Sequence, residues 1–368
     1  QHDGEQLVTL TESEATLRFP GFASRPVLSI NRGFSAPVAI DADTSAEDLV
    51  FLAAHDDDSF ARYEAMQQLV VQHLVAAVGG ELDAAARESG RAAIRGALSA
   101  IIADPALDDL MRGELMILPG EAYRAEQLLV ADPGAIHAER EGLKAYLGAS
   151  LKAQLRELHA RASAVPYSLS AEARGARKLK TQALVYLAAG APDEAATLAA
   201  AQFDSADNMT DRQGALMVLC GLQTPLRDDK LAAFHQRFAG NALVIDKWFS
   251  LQAGSLHPQA LDHVAALAQH ADFTLHNPNR VRALYMAMAV NPQAFHAASG
   301  AGYRMIADLI LALDPLNAQT AARFVAPLGR WKRIEPRRAS LMRAELERIL
   351  AAPSLSRDTF EQVSKSLG

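Results

Sequence analysis

The strongest constraint on this chain is its punctuation. From Thr44 onward, segments of roughly 12 to 20 residues with apolar positions at helical spacing are cut by short Pro, Gly, Asn or Asp linkers, among them Ala191-Pro192-Asp193, Thr224-Pro225, His257-Pro258, Asn291-Pro292 and Asp314-Pro315. No one such helix can bury its apolar face alone, so the helices must stack on their neighbours. The segments keep no fixed sequence period, which excludes a strict consensus repeat. The expected fold is therefore mainly α, an irregular helical-repeat superhelix of the HEAT or armadillo kind. A compact globular helical domain is the alternative. Half of the residues are hydrophobic and few are aromatic, a composition that suits closely packed helices better than a β-rich fold.

Helix ends are legible. Asp56-Asp57-Asp58 before Ser59 predicts an N-cap, after which Phe60, Tyr63, Leu69, Val70, Leu74 and Val78 recur until Gly79-Gly80 ends the run. Pro336 is expected to open a helix in which Met342, Leu346, Ile349 and Leu350 share a face, and Pro353 to stop it.

The first forty residues differ. Gln6 to Thr11, Ala15-Thr16-Leu17-Arg18-Phe19, Val27-Leu28-Ser29-Ile30 and Pro37-Val38-Ala39-Ile40 predict about four short strands, separated by Pro20-Gly21 and Arg32-Gly33. Four strands leave edges in need of partners. Residues 1–43 are thus expected to be the C-terminal strands of a truncated β-sandwich domain, and 44–368 the α-helical superhelical domain. The start Gln1-His2-Asp3-Gly4-Glu5 lacks an initiator Met and a signal peptide's basic and apolar regions. The expectation is a chain cut or processed from a longer one.

The formal net charge of −7 argues against nucleic acid as a partner. No apolar run reaches the ~20 residues of a membrane span, which argues against a membrane. The single cysteine, Cys220, follows Leu216-Met217-Val218-Leu219 and is read as a buried free thiol, which fits a reducing cytoplasm.

Complete catalytic motifs are missing. None of the eleven histidines begins His-Glu-x-x-His, the spacing that sets two imidazoles on one zinc with a glutamate as base. His137-Ala138-Glu139-Arg140-Glu141 has the wrong spacing, and His263 and His270, seven apart, share a helix face at most. A nucleophile elbow, a phosphate loop and a Cys-x-x-Cys pair are likewise absent. Gly300-Ala301-Gly302 reads as a turn, and Glu345 and Glu347 as solvated helix positions.

Two places stand out. In Phe273-Thr274-Leu275-His276-Asn277-Pro278-Asn279-Arg280-Val281-Arg282, Asn277 caps a helix and Pro278 takes its first position. Arg280 and Arg282 then oppose the helix dipole. Either an anionic partner compensates or two surface arginines tolerate the penalty. In Asn317-Ala318-Gln319-Thr320-Ala321-Ala322-Arg323, Gln319 and Arg323 are four apart on one face, a pair able to bind a carbonyl or carboxylate or simply to sit at a surface.

These same segments resemble the C-terminal part of bacterial aminopeptidase N, a gluzincin zinc aminopeptidase family. The resemblance extends to Asn291-Pro292-Gln293-Ala294-Phe295-His296, Gly300-Ala301-Gly302-Tyr303, Asp207-Asn208-Met209-Thr210-Asp211 and Asp246-Lys247-Trp248-Phe249. Phe34-Ser35-Ala36-Pro37-Val38 resembles the end of that family's β-sandwich domain. The resemblance covers nearly the whole chain in order. It implies a parent enzyme that removes amino-terminal residues from peptides with zinc-activated water. The family's zinc and Gly-x-Met-Glu-Asn motifs do not occur here, so this chain is expected to hold no cofactor and to be inactive alone. The implied partners are the catalytic domain of the same polypeptide and peptide substrates. The implied role is capping the active-site cavity, with Arg282, Gln319 and Arg323 facing peptide. Asn317-Ala318-Gln319 departs from the Asn-Pro-Gln expected there. A free-standing solenoid that binds a protein partner in its groove is the competing reading.

Overall fold

A computed structural model describes residues 6–38, 40–121, 128 and 130–368. Ala39, within one expected strand, and Gln1 to Glu5 lie outside the described residues. From Ala46 the chain is a succession of helices, beginning Ala46–His55, Ser59–Val78 and Ala84–Ala103 and ending Pro336–Leu350 and Arg357–Leu367. The expected helical superhelix is what forms.

Caps set the breaks. Asp58, Asp83, Asp108, Ser170, Asn208, Asn241, Asn291 and Ser356 each accept a hydrogen bond from a first-turn amide, a contribution of about 1 kcal/mol per cap. Pro336 opens its helix, and Met342, Leu346 and Ile349 are fully buried on one face. The helix ends at Leu350, just before Pro353.

The apolar faces fuse into two cores. One is built from Leu49, Met66, Leu98, Ile101, Leu147, Leu179 and their neighbours, the other from Leu216, Phe234, Phe249, Leu284, Tyr303, Phe324 and theirs. They meet along the helices Ala171–Gly190 and Pro192–Ser205, where Ala188 and Leu198 pack against both. Glycines admit the closest crossings. A Cβ on Gly148 would lie 2.0 Å from the Tyr186 carbonyl oxygen, so the helix Pro133–Ser150 can press backbone to backbone on Ala171–Gly190.

The array curls back on itself. Ala131 pairs in a parallel bridge with Ile334, with Ala131 N donating to Arg333 O at 2.8 Å and Glu335 N to Ala131 O at 2.9 Å. Beside the bridge, Arg338 donates to Asp132 at 3.2 Å. In a linear solenoid each repeat touches only its neighbours. Here a contact 203 residues apart in sequence closes the curve.

The strands expected of the lead-in are not shown among its described residues. Among the described residues of 1–43 there is a single 3-10 turn, Arg32–Phe34, and no strand. The physical reason is pairing. A strand's amides and carbonyls need a neighbouring strand, and no described residue offers one. The apolar side chains meant for a sandwich core stand in solvent, with Leu7 85% and Leu28 60% exposed. The lead-in is fastened around the first two helices at several points, Arg25 donating to Asp48 at 2.7 Å and Gly33 N to Asp58 at 3.0 Å. Arg32 pairs with Asp56 and Asp57, and the Phe34 ring lies 5.0 Å from Phe60.

Candidate functional site

The two arginines of the Asn277 helix have opposite fates. Asn277 accepts from Asn279 N and Arg280 N, and Pro278 occupies the first helical position. Arg280 turns inward, with only 6% of its side chain exposed, and pairs with Asp246. It also donates to the Asp272 carbonyl and, at 3.4 Å, to the Ala242 carbonyl. Its guanidinium stands 4.8 Å from the centre of the Phe249 ring, within cation–π range. The compensation for Arg280 against the helix dipole is therefore the partly buried Asp246. Arg282, two residues on, is exposed and among the described residues bonds only locally, to the Pro278 carbonyl and the Asn279 amide oxygen.

The segment Arg282–Met286 is a π-helical turn running into Ala287–Ala289. Sequence reasoning missed it, since no Pro, Gly or other local signal marks it. Such turns recur at functional sites. This one delivers Tyr285 into a cleft of about 650 Å³ lined also by Phe273, Leu275, Arg304, Met305 and Asp308. Burial, with a smaller effect of Asp308, raises the Tyr285 phenol above its ordinary value.

Asn317 accepts from Thr320 N and starts the short helix Ala318–Arg323. Gln319 and Arg323 are both exposed on it, and among the described residues neither side chain has a hydrogen-bond or ion-pair partner. The helix Ala301–Leu313 packs against both Ala318–Arg323 and Ala287–Ala289. Gln319 and Arg323 thus share one helix. No hydrogen bond or ion pair joins them to Arg282 among the described residues.

Other readings settle differently. Cys220 is fully buried, and burial pushes its thiol up to about 12. Gly300 adopts φ +74° before the helix Ala301–Leu313, as a turn residue should. His263 and His270 do not share a site. His263 contacts Arg227 at 3.0 Å and the His257 ring, whereas His270 sits beside His235 and Asp272. Glu347 pairs with Arg343 at a solvated position, but Glu345 is only 14% exposed and binds Arg348.

The catalytic zinc implied by the resemblance finds no holder in these residues. Two three-donor clusters occur among the described residues, His235–His270–Asp272 and Glu121–His137–Glu141. Neither has two helical histidines bracketing a glutamate base. In the second, Glu141 already pairs with Arg140 and Lys144.

A helical array whose curve is closed by the Ala131–Ile334 bridge defines the class. Residues 46–368 match a family described as a domain of unknown function (DUF3458_C) with ARM repeats, and residues 1–43 match its companion (DUF3458) with an Ig-like fold. The chain belongs to this DUF3458_C family and matches the C-terminal part of bacterial aminopeptidase N. It is 39% identical over 365 residues to aminopeptidase N of Caulobacter vibrioides, covering 99% of this chain and 42% of that protein. With aminopeptidase N of Escherichia coli it shares 33% over 372 residues, again 42% of the relative. The crystal structure of Legionella pneumophila aminopeptidase A in complex with aspartic acid superposes with a TM-score of 0.82 at 28% identity, covering 94% of this chain and 41% of that one. The chain thus spans less than half the length of the relatives it matches.

Proposed function

We propose that this chain is the C-terminal part of a zinc-dependent aminopeptidase, in which it caps the active-site cavity and positions peptide substrate. Residues 1–43, which match a family with an Ig-like fold, are the end of its β-sandwich domain, and 44–368 are the helical cap. The catalytic domain of the same polypeptide supplies the zinc and its base, and the enzyme works in the cytoplasm. Among the described residues no helix is long and apolar enough to cross a membrane.

The observation that carries the role is the contrast between Arg280, locked to Asp246, and the exposed Arg282, Gln319 and Arg323. The latter three keep donors for an external acceptor. A peptide offers carbonyls along its length and a carboxylate at its end. Guanidinium groups hold both without any proton transfer. The chemistry contributed is orientation.

The division of labour is tested by assaying the purified chain for release of chromophore from an alanine or arginine anilide, with zinc added and a chelator control. The expected result is no turnover. Chelator-sensitive turnover would refute the assignment of catalysis to another part of the polypeptide.

A further inference from the structure

The cluster His235–His270–Asp272 lies outside everything the peptide-positioning role uses. His235 comes from the last turn of the helix Pro225–Phe238, and His270 and Asp272 from the loop after Ala260–Leu267. We infer that these three side chains form a binding site for a divalent transition-metal ion of the zinc class, clamping that helix to the loop that leads into the Arg282 helix.

The geometry is close to what such an ion requires. One ligand atom from each residue lies within 4.8 Å of the other two. His235 Nε2 is 2.6 Å from Asp272 Oδ2, and His270 Nδ1 is 3.8 Å from the same oxygen. Zinc–nitrogen and zinc–oxygen bonds of about 2.1 Å at tetrahedral angles put ligand atoms roughly 3.4 Å apart. One separation must open and the other close, each by less than about 1 Å on that basis. Two imidazoles and one carboxylate make a donor set suited to zinc, cobalt or nickel rather than to calcium or magnesium.

The surroundings hold the ligands in place. The Trp248 ring packs against His235 at 4.9 Å and against His270 at 5.2 Å, and the His270 ring meets Phe249 edge-on at 5.9 Å. Asp272 N donates to His270 Nδ1 at 3.1 Å, a bond that a metal taking that nitrogen's lone pair would replace. His235 Nε2 and Asp272 Oδ2, 2.6 Å apart, would exchange their mutual contact for bonds to the metal. The neighbouring cation Arg280 donates to the Asp272 backbone carbonyl, and Asp246 neutralises it. The competing cluster lacks this freedom, because Arg140 and Lys144 already occupy its Glu141. Side-chain exposures of 27%, 33% and 40% for His235, His270 and Asp272 leave room for water to complete the coordination.

The test is Co²⁺ titration of the chelator-stripped 368-residue chain, followed by visible absorption, with Zn²⁺ as competitor. The expected result is a saturable band at one equivalent, displaced by Zn²⁺. It should be lost in Asp272→Asn and His235→Gln and kept in His137→Gln, with far-ultraviolet circular dichroism confirming that each variant is folded. A chain that gives no saturable band, a band that survives in folded Asp272→Asn, or one that vanishes with His137→Gln would overturn the inference. In the first case His235 and Asp272 form only a surface ion pair.

Discussion

The Arg280–Asp246 pair should be the anchor of the Arg282 helix, and Asp246→Ala is the perturbation that shows it. The side chains are 6% and 16% exposed, so removing the carboxylate strands a guanidinium in the protein interior. Breaking a buried pair from one side costs roughly 3–5 kcal/mol. Arg280 keeps two carbonyl acceptors and the Phe249 face, which places the expected loss near the lower end, about 3 kcal/mol. Trp248 lies 5.2 Å from Phe249 and reports on this region by fluorescence. Urea unfolding in a Trp331→Phe background should therefore show a midpoint lowered by about 1 M or more, given slopes of roughly 1–3 kcal/mol/M. The double variant Asp246→Leu with Arg280→Met should recover most of that loss, since an apolar pair of similar volume often replaces a buried ion pair at no net cost. A midpoint for Asp246→Ala within about 0.3 M of the wild type, equivalent to less than about 1 kcal/mol, would refute the anchoring argument.

Acid should weaken the C-terminal core through His296. Burial, helped by the nearby Arg338, lowers its pKa from 6.5 to about 4, and its Nδ1 lies 2.7 Å from Tyr303 Oη. Because the folded value is depressed, its contribution is complete above pH ~6.5 and fades as pH falls towards ~4, by at most about 3 kcal/mol. His296→Gln should flatten that part of the stability profile measured by urea unfolding, and an unchanged slope would count against it. Gly302→Ala should cost about 1–3 kcal/mol or more through overpacking, because a Cβ there would lie 2.4 Å from the Ala294 and Phe295 carbonyl oxygens. Thermal unfolding at an unaltered midpoint would mean that the helix Ala301–Leu313 can slide away from Pro292–Phe295.

Helix boundaries were legible because capping and proline chemistry are local. Asp58, Asn277, Asn317 and Pro336 act where their sequence neighbours say they should. Closure of the array through Ala131 and Ile334 was not legible, because nothing in either segment encodes a contact between residues so distant in sequence. Alternation near Leu17 and a short apolar run at Leu28 suggested strands, but such patterns only describe a face, and a strand also needs a partner. The arginine pair shows the same limit. Sequence placed Arg280 and Arg282 together at one helix end, but not the Asp246 that takes one of them out of solvent. The π-helical turn at Arg282–Met286 and the gathering of His235 with His270 are likewise tertiary outcomes.

The most direct test of the account compares peptides with a substrate too short to reach the cap. In the proposed parent aminopeptidase, Arg282→Ala, Gln319→Ala and Arg323→Ala should be assayed on a tetrapeptide and on alanine anilide. Loss of positioning contacts predicts a KM for the tetrapeptide raised by roughly tenfold, the equivalent of about 1.4 kcal/mol, with anilide kinetics close to wild type. Equal losses on both substrates, or no change on either, would contradict a peptide-positioning role for these residues.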